Sequence, residues 1–287
     1  MTAVALDAKQ CHLGEGPLWH PVRQQLFWFD IVQFRLHSHR DGKTHTWSFD
    51  EHVSAAGWID EDRLLIASET RLFEFTLSTG ASVDVCPLEA DTPTTRSNDG
   101  RADPWGGFWI GTMGKGAEPG EGAIYRYYRG KIRRLFPEIT ISNAICFSPD
   151  RAFAYYADTP TGIVMRQALD PQNGWPAGDP QPWLDLRAEG LNPDGAVVDA
   201  DGNFWNAQWG ASRVACYGPD ATFLRAVEFP AAHTSCPAFG GPDLTTLYCT
   251  TARQGQSAEA LAANPDHGRT FAVPGVARGQ AEHQVIL

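Results

Sequence analysis

The chain has 287 residues, 43% of them hydrophobic, with 28 Gly, 20 Pro and a formal net charge of -11. With no run of Lys or Arg, that charge repels phosphate backbones and argues against a nucleic-acid partner. No stretch approaches the roughly 20 apolar residues of a membrane span, and Met1-Thr2-Ala3-Val4-Ala5-Leu6-Asp7 has no basic region ahead of a long apolar core, so a cytoplasmic protein off the membrane is expected.

Taken in order, the chain predicts many short strands between turns. A strand is expected at residues 4–6. A first unit starts at Leu-Gly-Glu-Gly-Pro, residues 13–17, turns at His20-Pro21, returns through Leu26 to Asp30 and turns again at Arg40-Asp41-Gly42. A second covers residues 53–85. A third covers 97–135 and carries a Gly-rich insertion at 111–122. A fourth begins at Thr140 and ends in a Pro/Gly-rich loop at 171–180. A fifth opens with Asn-Pro-Asp-Gly, residues 192–195. A sixth runs over 235–273 with an insertion at 254–269 whose Ala258 to Ala263 suits one or two helical turns. A last strand is expected at 282–287. The six cysteines form no Cys-x-x-Cys pair and sit mostly in apolar runs, which predicts reduced, buried thiols.

The units share a phase. Glu15, Ser54, Asn98, Asn143, Asp194 and Cys236 each precede a turn residue by six positions, and each turn is followed by an aromatic or aliphatic run such as Leu26-Phe27-Trp28-Phe29 or Phe153-Ala154-Tyr155-Tyr156. Steps of 39, 44, 45, 51 and 42 residues separate them. Repeats of this length, each with two or three turns, predict the blades of an all-β, six-bladed β-propeller occupying residues 1–287 as one domain. The N-terminal or C-terminal strand would close the ring. Two sandwich domains would leave the shared phase unexplained.

In a propeller the first strand of each blade lines the channel, so one phase of six strands becomes a ring at one mouth. Glu15, Asn98, Asn143 and Asp194 would converge there. Asp30 and Asp158, nine residues past their turns, would return to the same face one strand further out, as supporting carboxylates. Two carboxylates and one or two amides facing each other call for a cation, and an all-oxygen set suits one divalent ion: Ca²⁺, Mg²⁺ or Mn²⁺, with Zn²⁺ or Fe²⁺ at lower selectivity. Asn-Pro-Asp-Gly and Ser-Asn-Asp-Gly are also turn formers, but turns alone do not explain the phase. Ser54 and Cys236 hold the phase without a His partner. His37, His39 and His45 are read as a surface face. Trp209 returns to the site face.

The motifs around residues 13–17, 96–101, 141–143 and 193–195, with Phe239-Gly240-Gly241-Pro242-Asp243-Leu244 and Thr251-Ala252-Arg253, resemble the regucalcin/gluconolactonase (senescence marker protein) family over nearly the whole chain. The resemblance implies a six-bladed propeller that hydrolyses a sugar lactone, in carbohydrate breakdown, with one divalent metal. It implies Glu15, Asn143 and Asp194 as metal ligands, Asp194 also as general base, and Arg96, Asn98, Asp99 and Glu118 as substrate-binding residues. It implies a small-molecule partner, and a monomer or weak homo-oligomer is expected. Two other classes stand beside this reading: a phosphotriesterase or arylesterase on the same propeller, and a non-enzymatic calcium-binding propeller.

Overall fold

The computed structural model describes residues 2–287. Six four-stranded antiparallel sheets follow one another along the chain. Their innermost strands are Gly14–His20, Val53–Trp58, Thr95–Ala102, Ser142–Phe147, Asn192–Val198 and His233–Gly240. Each abuts the next, and the sixth abuts the first, so the sheets are the blades of a closed six-bladed β-propeller.

The alternation of a strand builds the walls between blades. Along the second strand of blade 1, Leu26 and Trp28 face blade 6, where they meet Tyr248, while Phe27 and Phe29 face blade 2, where they meet Phe73 and Phe75. Phe108 and Ile110 of blade 3 likewise pack on blade 2, while Trp109 packs on blade 4. Each of the six apolar clusters sits at one blade–blade interface. Second strands are buried on both faces, which is why their sequence is a continuous apolar run.

The ring is closed by the N-terminus. Val4–Ala5 pairs with Phe271–Val273 as the outermost strand of blade 6. The C-terminal segment expected as a strand is not one. It crosses the far mouth of the channel and bonds to several blades in turn. Gln280 Nε2 donates to the carbonyls of Phe147 and Val198, Gln284 Nε2 to Ile59, the Val285 N–H to Trp58 and the Ile286 N–H to Gly106. Alternating polar and apolar side chains serve this plug as well as they would a strand. No helix among the described residues is long and apolar enough to cross a membrane. The cysteines are all free, five of them buried.

Candidate active site

Every innermost strand carries a register shift at the same depth: between Glu15 and Leu18, Val53 and Ala55, Ser97 and Gly100, Asn143 and Cys146, Pro193 and Ala196, and Thr234 and Pro237. These are β-bulges, which bend a strand and re-aim its side chains. The phase legible in the sequence is this ring of bulges, with one refinement. Glu15 and Asn143 pair directly with Phe29 and Ala157, whereas Asn98 and Asp194 lie one residue further on, inside the bulge after Ser97 and Pro193. The bulge also sets the residue that follows. Gly16 has φ 53, and a Cβ there would lie 2.2 Å from the Ser54 carbonyl oxygen. Ala144 holds the same left-handed conformation at φ 59, a strain of the kind found at functional sites.

Above the ring opens a cavity of about 400 Å³ lined by Glu15, Arg96, Asn98, Asn143 and Asp194, with Leu13, Met113, Ile141 and Trp209 as apolar walls and Thr159, Lys115 and Gln254 toward the rim. Its polar floor is one connected network. Arg96 Nη1 donates to Asn98 Oδ1 at 2.7 Å and to the Ser97 carbonyl at 2.9 Å. Asn98 Nδ2 donates to the Ser142 carbonyl at 2.9 Å and reaches Asn143 Oδ1 at 3.3 Å. Asn143 Nδ2 donates to Thr159 Oγ1 at 2.8 Å, and Thr159 Oγ1 donates to the Pro193 carbonyl at 2.7 Å, beside Asp194. Thr159 thus fixes which end of the Asn143 amide faces the cavity. The sequence reading missed it, although its place right after Asp158 was a usable signal.

Asp30 and Asp158 do lie one strand out, but their carboxylates face backbone. Asp30 accepts from the His12 and Leu13 N–H groups at 2.8 and 3.1 Å, and Asp158 from the Thr140 and Ile141 N–H groups at 3.1 and 2.9 Å. Each holds the segment entering a strand that carries a ring residue. Asp99 is not in the cavity lining: it is buried below the ring, accepting from the Ile145 N–H at 2.7 Å. Glu118 is not brought to the cavity either. It is exposed and turns back on the Gly116 N–H at 3.0 Å, while Lys115, Gly116 and Ala117 of the same loop form the wall. Trp209 lines the cavity, stacked on His233 at 4.2 Å between ring centroids, whereas Trp205 is core. Ser54 Oγ donates to Ser97 Oγ at 2.7 Å, and burial raises the Cys236 thiol well above its usual range, so neither is an activated nucleophile.

The electrostatics are those of crowded, buried anions. Burial, then Asp99, raises Glu15 to about 8. Burial, then Glu15 and Asp99, raises Asp194 well above the ordinary carboxylate range. Burial lifts Asp99 to about 6 and lowers Arg96 to about 10. Deeper in the channel Arg101 pairs with Glu282 and donates to the Ile145 and Ala196 carbonyls at 3.3 Å; burial would lower Arg101, but Glu282 together with the other acidic groups around it, Asp99 among them, raises it on balance. Four buried carboxylates (Glu15, Asp99, Asp194, Glu282) thus face two buried guanidiniums (Arg96, Arg101). Fully ionised, they leave two negative charges uncompensated, the amount that one divalent cation neutralises.

The described residues offer a second place for such an ion. Donor atoms of Cys11, Asp30 and His37, all buried, lie within 4.8 Å of one another. His37 is therefore not on a surface face: it packs against Trp28 at 5.4 Å, and burial lowers it to about 4. Both Asp30 oxygens are already occupied by backbone N–H groups, and Asp158 makes the same brace without a Cys or His. At the channel mouth Glu15 and Asp194 each accept a single backbone N–H, from Gly16 and Gly195, which leaves one oxygen of each for an ion.

Fold and site together are those of a β-propeller that gathers carboxylates and amides at one mouth of its channel. The sequence model of the SMP-30/Gluconolactonase/LRE-like region matches residues 13–253, so the chain belongs to that family. It is 37% identical over 267 residues to L-arabinolactonase of Azospirillum brasilense, covering 90% of this chain and 87% of that protein. It is 36% identical over 278 residues to 6-deoxy-6-sulfogluconolactonase of Pseudomonas putida, covering 92% and 93%. It superposes on the crystal structure of a calcium-binding protein, regucalcin, from Agrobacterium tumefaciens with a TM-score of 0.97 at 39% identity, over 99% of this chain and 97% of that one.

Proposed function

We propose that this chain hydrolyses a sugar lactone to the aldonic acid, with one divalent cation held at the channel mouth by Glu15, Asn143 and Asp194. The observation that carries the reading is the meeting of two buried carboxylates, Glu15 and Asp194, with the Asn143 amide in one cavity at the mouth of a channel whose buried carboxylates outnumber its guanidiniums, on the fold of a family whose relatives include lactonases of pentose and hexose acids. A divalent cation there supplies Lewis acidity toward the lactone carbonyl and acidifies bound water.

The side chains supply the rest. Arg96 keeps the bond to Asn98 and has N–H groups left for the ring oxygen or a hydroxyl, fixing the pose. Asp194 takes the proton of the attacking water on one carboxylate oxygen while the other stays on the ion. Water oxygen bonds to the carbonyl carbon, the acyl–oxygen bond of the ring breaks, and the released hydroxyl takes up a proton. Leu13, Met113, Ile141 and Trp209 provide apolar walls for the sugar's carbon face. The free thiols fit a reducing, cytoplasmic setting.

A pH-indicator assay over pentono- and hexonolactones, with and without prior chelation, tests this. Acid release that is abolished by chelation and restored by a divalent cation is expected. Turnover of aryl esters or aryl phosphates without any lactone turnover would instead assign the site to the esterase class.

A further inference from the structure

One cation in the cavity has no part in the floor network. Lys115 lies on the loop between the second and third strands of blade 3 and forms the cavity wall at its rim. Its backbone is fixed by the bond from its N–H to the Thr94 carbonyl at 2.8 Å. Its Nζ lies 2.9 Å from Glu69 Oε2, at the end of the second strand of blade 2, and the same oxygen is 2.5 Å from His52 Nδ1. The Lys115 side chain is still 36% exposed. An ammonium has three N–H donors, and Glu69 takes one. The others are free for whatever enters the mouth.

The wall around it is cationic in balance. Burial keeps His52 toward the neutral form, and the bonds from Lys115 and His52 hold Glu69 ionised against the effect of burial. Arg96 adds a second positive charge deeper on the same side, within charge range of Glu69 and His52. The negative ring residues come from blade 1, beside blade 2, and blade 5, opposite it, and both face Arg96 on the floor, below the rim where Lys115 lies. A substrate with its carbonyl at the ring therefore presents its far end to Lys115. On a protein of net charge -11, an anion meets few attractive surfaces, so a free ammonium at this mouth discriminates.

We propose that Lys115 reads an anionic substituent, a sulfonate, carboxylate or phosphate, on the end of the lactone remote from the reacting carbonyl. This rests on the lactonase reading and narrows its substrate class. The other role open to the residue is a pin, in which the pair with Glu69 merely ties the loop to blade 2.

The test uses the metal-loaded protein and four matched hexonolactones: one with the ordinary hydroxyl at C6, and its C6 sulfonate, carboxylate and phosphate counterparts. Wild type should prefer at least one charged lactone, and the three arms identify which anion. Lys115→Met should lose about tenfold in kcat/KM on that lactone, chiefly through KM, the size of one partly solvated charged hydrogen bond, with the uncharged lactone within about twofold. Lys115→Arg should keep the preference. Glu69→Gln breaks the pin but leaves the cation, and should keep it too. Added salt should erode the preference in wild type and not in Lys115→Met. Equal losses on charged and uncharged lactones, a Glu69→Gln profile that copies Lys115→Met, or a wild-type preference for the uncharged lactone would each overturn the proposal. Absence of turnover on all four would sink the lactonase reading itself, a different result.

Discussion

Asp30 and Asp158 stand at the same point of blades 1 and 4, on opposite sides of the ring, and do the same work. Each ends a second strand and takes two backbone N–H groups from the segment leading into an innermost strand, the one that bears Glu15 or Asn143. Removing either carboxylate leaves two N–H groups unpaired next to the site. Asp30→Ala should cost about 2–3 kcal/mol in urea unfolding. Asp158→Ala should cost less, since Asp158 is only half-buried. Both should weaken metal binding by calorimetry. Unchanged stability with lost affinity would mean that the carboxylates act on the ion and not on the backbone.

A pH dependence follows from the raised carboxyls. Glu15 has an ordinary value of 4.5 and stands at about 8 in the metal-free fold, and Asp194 is raised in the same direction. Between those limits the folded state holds protons that the unfolded chain has released, so stability falls as pH rises. Metal-free protein should therefore melt progressively lower from pH 5 to pH 8. A bound divalent cation replaces those protons, so the gap in Tm between loaded and metal-free protein should widen with pH. Differential scanning calorimetry across that range decides, and a gap constant from pH 5 to pH 8 would contradict the assignment.

The phase of the repeat was legible because a strand buried on both faces cannot hide its apolar run, and because the turn after each innermost strand sits at a nearly fixed distance from the mouth. What counting could not supply was the bulge, which offsets Asn98 and Asp194 by one residue from Glu15 and Asn143. It also could not show where an irregular loop turns. Glu118 was a plausible contact by position, but Gly114, Gly116 and Gly120 let the loop fold so that Lys115 faces in and Glu118 out. The terminal segment misled for a related reason. Val285 and Ile286 look like strand residues, and their N–H groups are indeed bonded, but to carbonyls of two different blades.

That segment carries Glu282, whose carboxylate pairs directly with the buried guanidinium of Arg101. Glu282→Ala would leave a buried charge without its partner, at about 3–5 kcal/mol. Arg101 also ties blades 3, 4 and 5 together through the Ile145 and Ala196 carbonyls, so the loss should reach the site as weaker metal binding. Replacing the pair together, Arg101→Met with Glu282→Leu, should recover most of the stability. A Glu282→Ala protein within about 1 kcal/mol of wild type would show that the plug is loosely seated.

Asp194 is assigned two roles and Glu15 one, and paired substitutions separate them. Asp194→Asn keeps the size and one oxygen donor but removes the charge and the basicity. Glu15→Gln makes the same loss of charge at a residue assigned only to the ion. Both weaken metal binding, because each removes one of the negative charges that the cation balances; Glu15→Gln also relieves the repulsion that raises Asp194. Only Asp194→Asn also removes the proton acceptor, a factor of about 10²–10⁴ in rate. The comparison therefore has to be made at saturating metal with occupancy measured by calorimetry. There Glu15→Gln should recover much of kcat and Asp194→Asn should not. Equal recovery in both would make Asp194 a ligand alone. Asp99, buried below the ring and outside the cavity lining, is the next carboxylate to test as acceptor.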